Sequence, residues 1–128
     1  MHVRLLRTVG AATAAYGTAV TLWPELLARP SRLVDAAGRT QAHTRTALRP
    51  VGLRDAASGA ALLCAPEGPA LRTAAFVRLA ADFGDAALLG CTLPRGARGA
   101  RGKAVGVSVV WGVLSLVGVS NWTLSGGR

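Results

Sequence analysis

Six ionisable side chains lie inside the most apolar half of this 128-residue chain, and their types and spacing could support acid–base chemistry. They fall in two short stretches, RPVGLRD from Arg49 to Asp55 and RLAADFGD from Arg78 to Asp85. Ionisable groups at membrane depth are costly, and they usually face a helix-bundle interior or a functional cavity. A carboxyl group can transfer a proton, while a nearby guanidinium stabilises negative charge that develops on a substrate. The two stretches therefore predict a polar site within an apolar protein.

Each charged residue of this site has a predicted role. Asp82 or Asp85 is the expected proton donor, and Asp55 is the expected base or orienting group. Arg54 or Arg78 would stabilise the developing negative charge. Apolar walls with a few polar groups are typical of small-molecule sites, so a lipophilic substrate is expected. Three further residues complete the predicted substrate-binding site: Tyr16, Ser58 and Trp111.

The short turn at 66–69 sets the level at which these charges meet, because it makes the flanking helices antiparallel neighbours. Counting residues outward from the turn brings each arginine to the level of one aspartate. The predicted pairs are Asp55 with Arg78, Arg54 with Asp82, and Arg49 with Asp85. The alternative to a ligand site is a salt-bridged clasp, since fixing helix register is the best-attested use of buried ion pairs.

Four apolar segments, at about 3–23, 50–65, 70–93 and 104–123, predict the elements that position these residues. The uncharged run from Ala104 to Ser125 is long enough to span a bilayer unaided, and the other segments become credible spans as its partners. The expected fold is an all-α, four-helix transmembrane bundle with up-down topology, forming a single domain over residues 1–128. Two alternatives stay open: a cleaved signal peptide for the first segment, and a soluble helical bundle.

Prolines and glycines mark the ends and the contacts of these segments. Pro50 and Pro69 are predicted at helix starts, where a missing backbone N–H costs nothing. Two pairs of glycines are each spaced seven residues apart, Gly10 with Gly17 in the first segment and Gly52 with Gly59 in the second. Small residues at such positions let helix backbones approach closely in lipid.

Basic residues concentrate in two loops, 24–49 and 94–103, within a chain of net charge +9. These loops hold nine Lys or Arg residues, against four on the opposite side of the predicted bundle. The positive-inside rule therefore predicts a multi-pass protein of the cell membrane with both loops cytoplasmic. The longer loop would either lie on anionic lipid or remain a solvated basic loop. No nucleic-acid-binding motif accompanies the charges, so the expected partners are the bilayer and a lipophilic molecule rather than nucleic acid.

The sequence predicts neither a metal site nor a cofactor. His2 and His43 stand alone, and Cys64 and Cys91 do not suggest a disulfide framework. A phosphate loop, a dinucleotide-binding fingerprint and a nucleophile elbow are all missing from the sequence.

The stretch RPVGLRDAASGAALL, followed by DFGDAALLG in the third segment, resembles a family of small four-helix bacterial integral membrane proteins known only as a domain of unknown function. The resemblance covers about residues 49–93 and the overall layout. The family motif is Gly-x-Arg-Asp in the second helix and an acidic residue before small residues in the third. The matching positions are Gly52, Arg54, Asp55, Gly59, Asp82 and Asp85. The resemblance implies a membrane bundle with a distinctive Arg-Asp pair, and it implies no particular activity.

Three functions fit these residues. The favoured one is a membrane-embedded enzyme, an isomerase, cyclase or epoxide-opening catalyst that acts by acid–base catalysis on a lipophilic small molecule. The second is a non-catalytic membrane scaffold or partner subunit in which the Arg/Asp pairs are structural. The third is a proton-coupled transporter subunit, which would require a homo-oligomer because four helices are few for a transport path. The number of ionisable groups favours the enzyme, since one pair would suffice to fix the register.

Overall fold

A computed structural model describes residues 2–92 and 98–120, and every regular element within these ranges is helical. The helices are α1 (Val3–Leu22), α2 (Glu25–Ala28), α3 (Ala42–Cys64), α4 (Pro69–Thr92) and α5 (Arg98–Ser120). The all-helical prediction is therefore confirmed, with one short additional helix, α2. In the part of the chain that is described, no helix combines the length and the apolar character needed to cross a membrane.

Helices α1 and α3 pack as an antiparallel pair through the two glycine pairs. A Cβ atom built on Gly17 would lie 2.3 Å from the backbone N of Ala56. One built on Gly59 would lie 2.4 Å from the backbone N of Ala14. Because the nearest atoms are backbone atoms, only glycine allows this separation of the two helices. The seven-residue spacing thus correctly indicated a close helix contact.

Helices α4 and α5 form a second pair that joins the first through an apolar core. The ring of Phe83 on α4 packs against Gly112 on α5, where an added Cβ would lie 3.1 Å from the ring. The core itself combines buried residues of α1, α3 and α4: Leu6, Val9, Leu62, Leu71 and Ala75. Partly buried side chains of α5, Trp111 among them, pack against this core.

The connection between α3 and α4 is the predicted tight turn. Gly68 has a φ of +106°, a left-handed conformation that residues with a side chain rarely adopt. Helix α4 begins at Pro69, as predicted, and the N–H of Leu71 donates to the Pro66 carbonyl at 3.2 Å. Arg7 of α1 caps the C-terminal end of α3, because its guanidinium donates to the carbonyls of Leu62 (3.2 Å), Leu63 and Ala65 (2.6 Å). A cation at a helix C-terminus also interacts favourably with the helix dipole.

The predicted start of the second segment at Pro50 is wrong. Helix α3 begins at Ala42 and continues through Pro50, which lies exposed inside the helix. The prediction placed the boundary at Pro50 because proline is favoured at a helix start. Here the helix also includes the residues before Pro50, among which Ala, Leu and Arg have high helix propensity. Arg45 in this extension pairs with Glu25 of α2 at 2.8 Å and so ties the two helices together. The predicted loop at 24–49 is therefore partly helical.

The last helix also begins earlier than predicted, at Arg98 rather than at about residue 104. The predicted loop at 94–103 is thus helical from residue 98 onward. Its residues 94–97, and the predicted end of the last segment at 121–123, lie outside the described residues.

Candidate functional site

Five charged side chains of α3 and α4 form one continuous ionic network. Its buried end is the pair Arg78 and Asp82, which are 4% and 2% exposed. These residues lie one helical turn apart on α4 and therefore share a face. Arg78 Nε donates to Asp82 Oδ2 at 3.1 Å, and Arg78 Nη2 donates to Asp82 Oδ1. Both carboxylate oxygens of Asp82 are thus engaged by the same guanidinium.

The middle of the network is Asp55 on α3. Its Oδ1 atom accepts a hydrogen bond from Arg78 Nη1 at 3.0 Å and one from Arg54 Nη2, also at 3.0 Å. Ser58 supports this junction, because its hydroxyl accepts from Arg78 Nη1 at 3.2 Å and donates to the Asp55 carbonyl at 3.2 Å. Asp55 therefore connects the two arginines of the network.

The outer end of the network is the pair Arg54 and Asp85. Arg54 Nη1 and Nη2 donate to the two oxygens of Asp85 at 2.9 and 2.5 Å, a bidentate geometry. The side chains of Arg54 and Asp85 are 41% and 27% exposed. The network thus runs from a sealed end inside the bundle, which cannot meet a ligand directly, through Asp55, whose side chain is 16% exposed, to an accessible end at the surface.

The pairing differs from the predicted ladder in two of three positions. Asp55 meets Arg78, as predicted. Arg54 pairs with Asp85 rather than with Asp82, because Asp82 is held by Arg78 of its own helix. Arg49 is exposed and lies outside the network. The count from the turn gives the level of each residue along the bundle. It does not give the direction in which a side chain leaves its helix, or whether an aspartate pairs with an arginine of its own helix or of the neighbouring one.

Two predicted lining residues lie apart from the hydrogen bonds of the network. Tyr16 of α1 is 47% exposed and is within electrostatic range of Asp55. Trp111 of α5 packs against the apolar core formed around Leu62 and Leu71. The structure therefore brings together Ser58 and the five charged residues, places Tyr16 nearby, and puts Trp111 in the core.

Helix α1 fixes the backbone of the site, a link that the sequence alone left unassigned. A Cβ on Gly17 would lie 2.8 Å from the carbonyl carbon of Asp55 and 2.6 Å from the carbonyl oxygen of Gly52. The backbone of Asp55 thus packs against Gly17 of α1, while its carboxylate accepts hydrogen bonds from Arg54 and Arg78. The signal that could have revealed this link is the shared seven-residue spacing of the glycines on the two helices.

The charges of the network do not cancel. With all groups ionised, three aspartates and two arginines sum to −1. A net charge removed from water is unfavourable, so a site of this kind gains by binding a proton or a cationic group. Among the described residues, no group of three or more His, Cys, Asp or Glu side chains is arranged to hold a metal ion.

Comparison of the chain with protein-family models, with curated proteins and with solved structures gives no match.

Proposed function

We propose that this chain is an integral membrane protein of the cell membrane, with α1, α3, α4 and α5 as its four spans. The support is the distribution of polarity, because Arg78 and Asp82 are buried while large apolar side chains face outward. Many exposed large apolar side chains are typical of a surface that contacts a membrane or a partner. The outward-facing residues come from all four long helices: Leu22, Leu53, Leu63, Phe76, Val77, Phe83, Leu88, Val109, Val110, Val113 and Leu116.

The contact between α1 and α3 supports the same proposal. In lipid, hydrophobicity does not drive helices together, so association depends on close backbone packing at small residues. The Gly17 and Gly59 contacts are of this type. The excess of basic residues in 24–49 and 94–103 favours a cytoplasmic position for both regions. We also propose that the Gly-x-Arg-Asp stretch relates the chain to the family of four-helix membrane proteins that it resembles, and this agrees with four spans.

The ionic network is proposed to be an acid–base site for a lipophilic small molecule. One observation carries this function: a network with one negative charge in excess, sealed at Asp82 and accessible at Asp85. Such a network is expected to hold one exchangeable proton in a low-dielectric surrounding. A carboxyl that keeps a proton in an apolar site is suited to act as a general acid.

We propose a role for each residue of the network from this geometry. Asp85 at the accessible end delivers a proton to the substrate, and Arg54 beside it stabilises negative charge on a substrate oxygen. Asp55 accepts the proton that the substrate gives up, and Arg78 with Asp82 orients Asp55 from the buried end. One proton enters the substrate and one leaves it, so the reaction is redox-neutral. Isomerisation, cyclisation and intramolecular epoxide opening are reactions of this kind.

The proposed activity is tested with membranes that contain the wild-type protein, Asp85→Asn or Asp35→Asn. Asp35 is the matched control, because it is an aspartate of the loop that pairs with Arg39 and lies outside the network. The membranes are incubated with lipophilic extracts of the source cells, and products are followed by liquid chromatography and mass spectrometry. Wild type and Asp35→Asn should convert one compound into an isomer of equal mass.

Asp85→Asn should slow that conversion by about a hundredfold or more, the usual contribution of a general acid. Full activity in Asp85→Asn, with the protein folded, would remove Asp85 from the mechanism.

A non-catalytic scaffold is the second candidate, and the pairing of the outer end favours it. Arg54 and Asp85 already satisfy each other in bidentate geometry, as a structural clasp would. The double variant Arg54→Met/Asp85→Leu separates the two functions. A scaffold keeps its partners and its stability in this variant, because an apolar pair can replace an ion pair at little cost. An acid–base catalyst loses turnover.

A further inference from the structure

Residues 22–33 form a short two-faced surface that the acid–base site does not use. The short helix α2 is followed by hydrogen-bonded turns, in which the Arg29 N–H donates to the Glu25 carbonyl (3.1 Å) and the Leu33 N–H to the Ala28 carbonyl (2.8 Å). Pro24 and Ala28 are buried on the inner side. Trp23, Leu26 and Leu33 are exposed on the outer side, and we call these three residues with Arg29 and Arg32 the Trp23–Leu33 face.

The Trp23–Leu33 face has positive charge that nearby acids do not neutralise. Arg29 and Arg32 are both exposed, and neither forms an ion pair with a described residue. The two acidic groups of this region are already used: Glu25 pairs with Arg45 at 2.8 Å and Asp35 with Arg39 at 3.4 Å. An exposed indole and two exposed leucines in the same short segment as these two exposed guanidinium groups are complementary to the boundary between acyl chains and anionic headgroups.

We infer that the Trp23–Leu33 face binds anionic phospholipid, with Trp23, Leu26 and Leu33 at the acyl boundary and Arg29 and Arg32 on the phosphates. This inference rests on the proposed membrane location, and it adds a specific lipid class as the partner of a named surface. The Glu25–Arg45 pair links α2 to α3 next to this face and uses the one glutamate of the segment. Each arginine near an anionic membrane surface contributes about a fivefold gain in binding, so the two together give up to roughly 25-fold.

Quenching of tryptophan fluorescence by brominated lipids tests this inference directly. The protein is reconstituted in phosphatidylcholine bilayers that contain a fixed fraction of brominated phosphatidylglycerol or of brominated phosphatidylcholine. Quenching that disappears in Trp23→Phe is assigned to Trp23. Wild type should show stronger Trp23 quenching by the brominated phosphatidylglycerol, and this preference should weaken at high ionic strength through screening.

Two charge-matched variants complete the experiment. Arg29→Gln/Arg32→Gln should lose the preference for phosphatidylglycerol, while Arg4→Gln/Arg72→Gln, which removes the same charge elsewhere, should keep it. Equal quenching by both lipids in wild type, or equal loss in both variants, would overturn the inference and leave the membrane proposal standing. If neither brominated lipid quenches Trp23, both the inference and the membrane location of this face are contradicted.

Discussion

Replacing Gly17 with alanine is expected to destabilise the protein, although alanine is the better helix former. The added Cβ would lie 2.3 Å from the Ala56 nitrogen, whereas ordinary contact begins at 3.4 Å. Helix α1 must therefore move away from α3 by about 1 Å, since backbone atoms of α3 cannot turn aside as a side chain can. Overpacking of this kind costs about 1–3 kcal/mol, and the rigid neighbour places Gly17→Ala near 3 kcal/mol.

Gly84 offers a matched control for the same substitution. It lies within α4, and a Cβ built there has no neighbour within 4 Å. Gly84→Ala should therefore stabilise the protein by about 0.5–1 kcal/mol, the usual gain when glycine is replaced in a helix interior. The free energy of unfolding from reversible chemical denaturation in detergent should thus change in opposite directions for the two variants.

Gly17→Ala should also impair the ionic network, because Gly17 contacts the backbone of Asp55. A shift of α1 displaces that backbone and weakens the junction with Arg78. Equal unfolding free energies for Gly17→Ala and wild type would refute the close approach of α1 and α3. A destabilised Gly84→Ala would show that glycine at that position also has a packing role, which would contradict the open space around it.

Further variants separate the parts of the network and the helix ends by their unfolding free energies. Arg78→Met should lower the free energy of unfolding by about 3–5 kcal/mol, because it leaves Asp82 buried without its partner. Arg78→Met/Asp82→Leu should lower it by less than Arg78→Met alone. A double variant as unstable as the single one would contradict this. Arg54→Gln should cost less than about 1 kcal/mol, because Arg54 is 41% exposed, and a larger loss would show that the outer pair is structural. Arg7→Gln should lower the free energy of unfolding by about 1–2 kcal/mol, because it removes hydrogen bonds to the C-terminal end of α3. Arg4→Gln, at an exposed position, should leave the free energy of unfolding almost unchanged. Equal effects of the two substitutions would refute the capping role of Arg7.

The sequence predicted the helical architecture because its strongest signals are local. Apolar runs, the Pro-Glu-Gly-Pro turn and the spacing of small residues each act within a few turns of helix. They placed α1 and α4 correctly, and the glycine spacing indicated close helix packing without saying that α1 and α3 are the partners. The start of α3 at Ala42 was missed because Pro50 is a favourable first residue of a helix, and the sequence does not show that the helix continues on its N-terminal side. Most residues of the helical stretch before Pro50 are exposed, with Leu48 buried, so its apolar pattern is too weak to indicate a helix.

The site was predicted as a set of residues but not as a set of pairs. Residue counts from the turn identified Asp55 with Arg78, which meet at one level. The remaining pairs depend on side-chain reach and on competition within a helix. Asp82 lies four residues from Arg78, so the two meet on α4 before any contact with α3 is needed. Arg54 then reaches Asp85, which leaves the network with two arginines instead of three and with a net charge of −1.

Infrared spectroscopy of the protein in bilayers tests the proposed acid–base site most directly. If the network holds one exchangeable proton, the wild-type protein should show a carboxylic-acid C=O band at neutral pH that shifts in deuterated water. Asp82→Asn brings the summed charge of the network to zero, so this band should disappear, while Asp35→Asn should retain it. A wild-type spectrum with only carboxylate bands at neutral pH would contradict the proposal that the network stores a proton for catalysis.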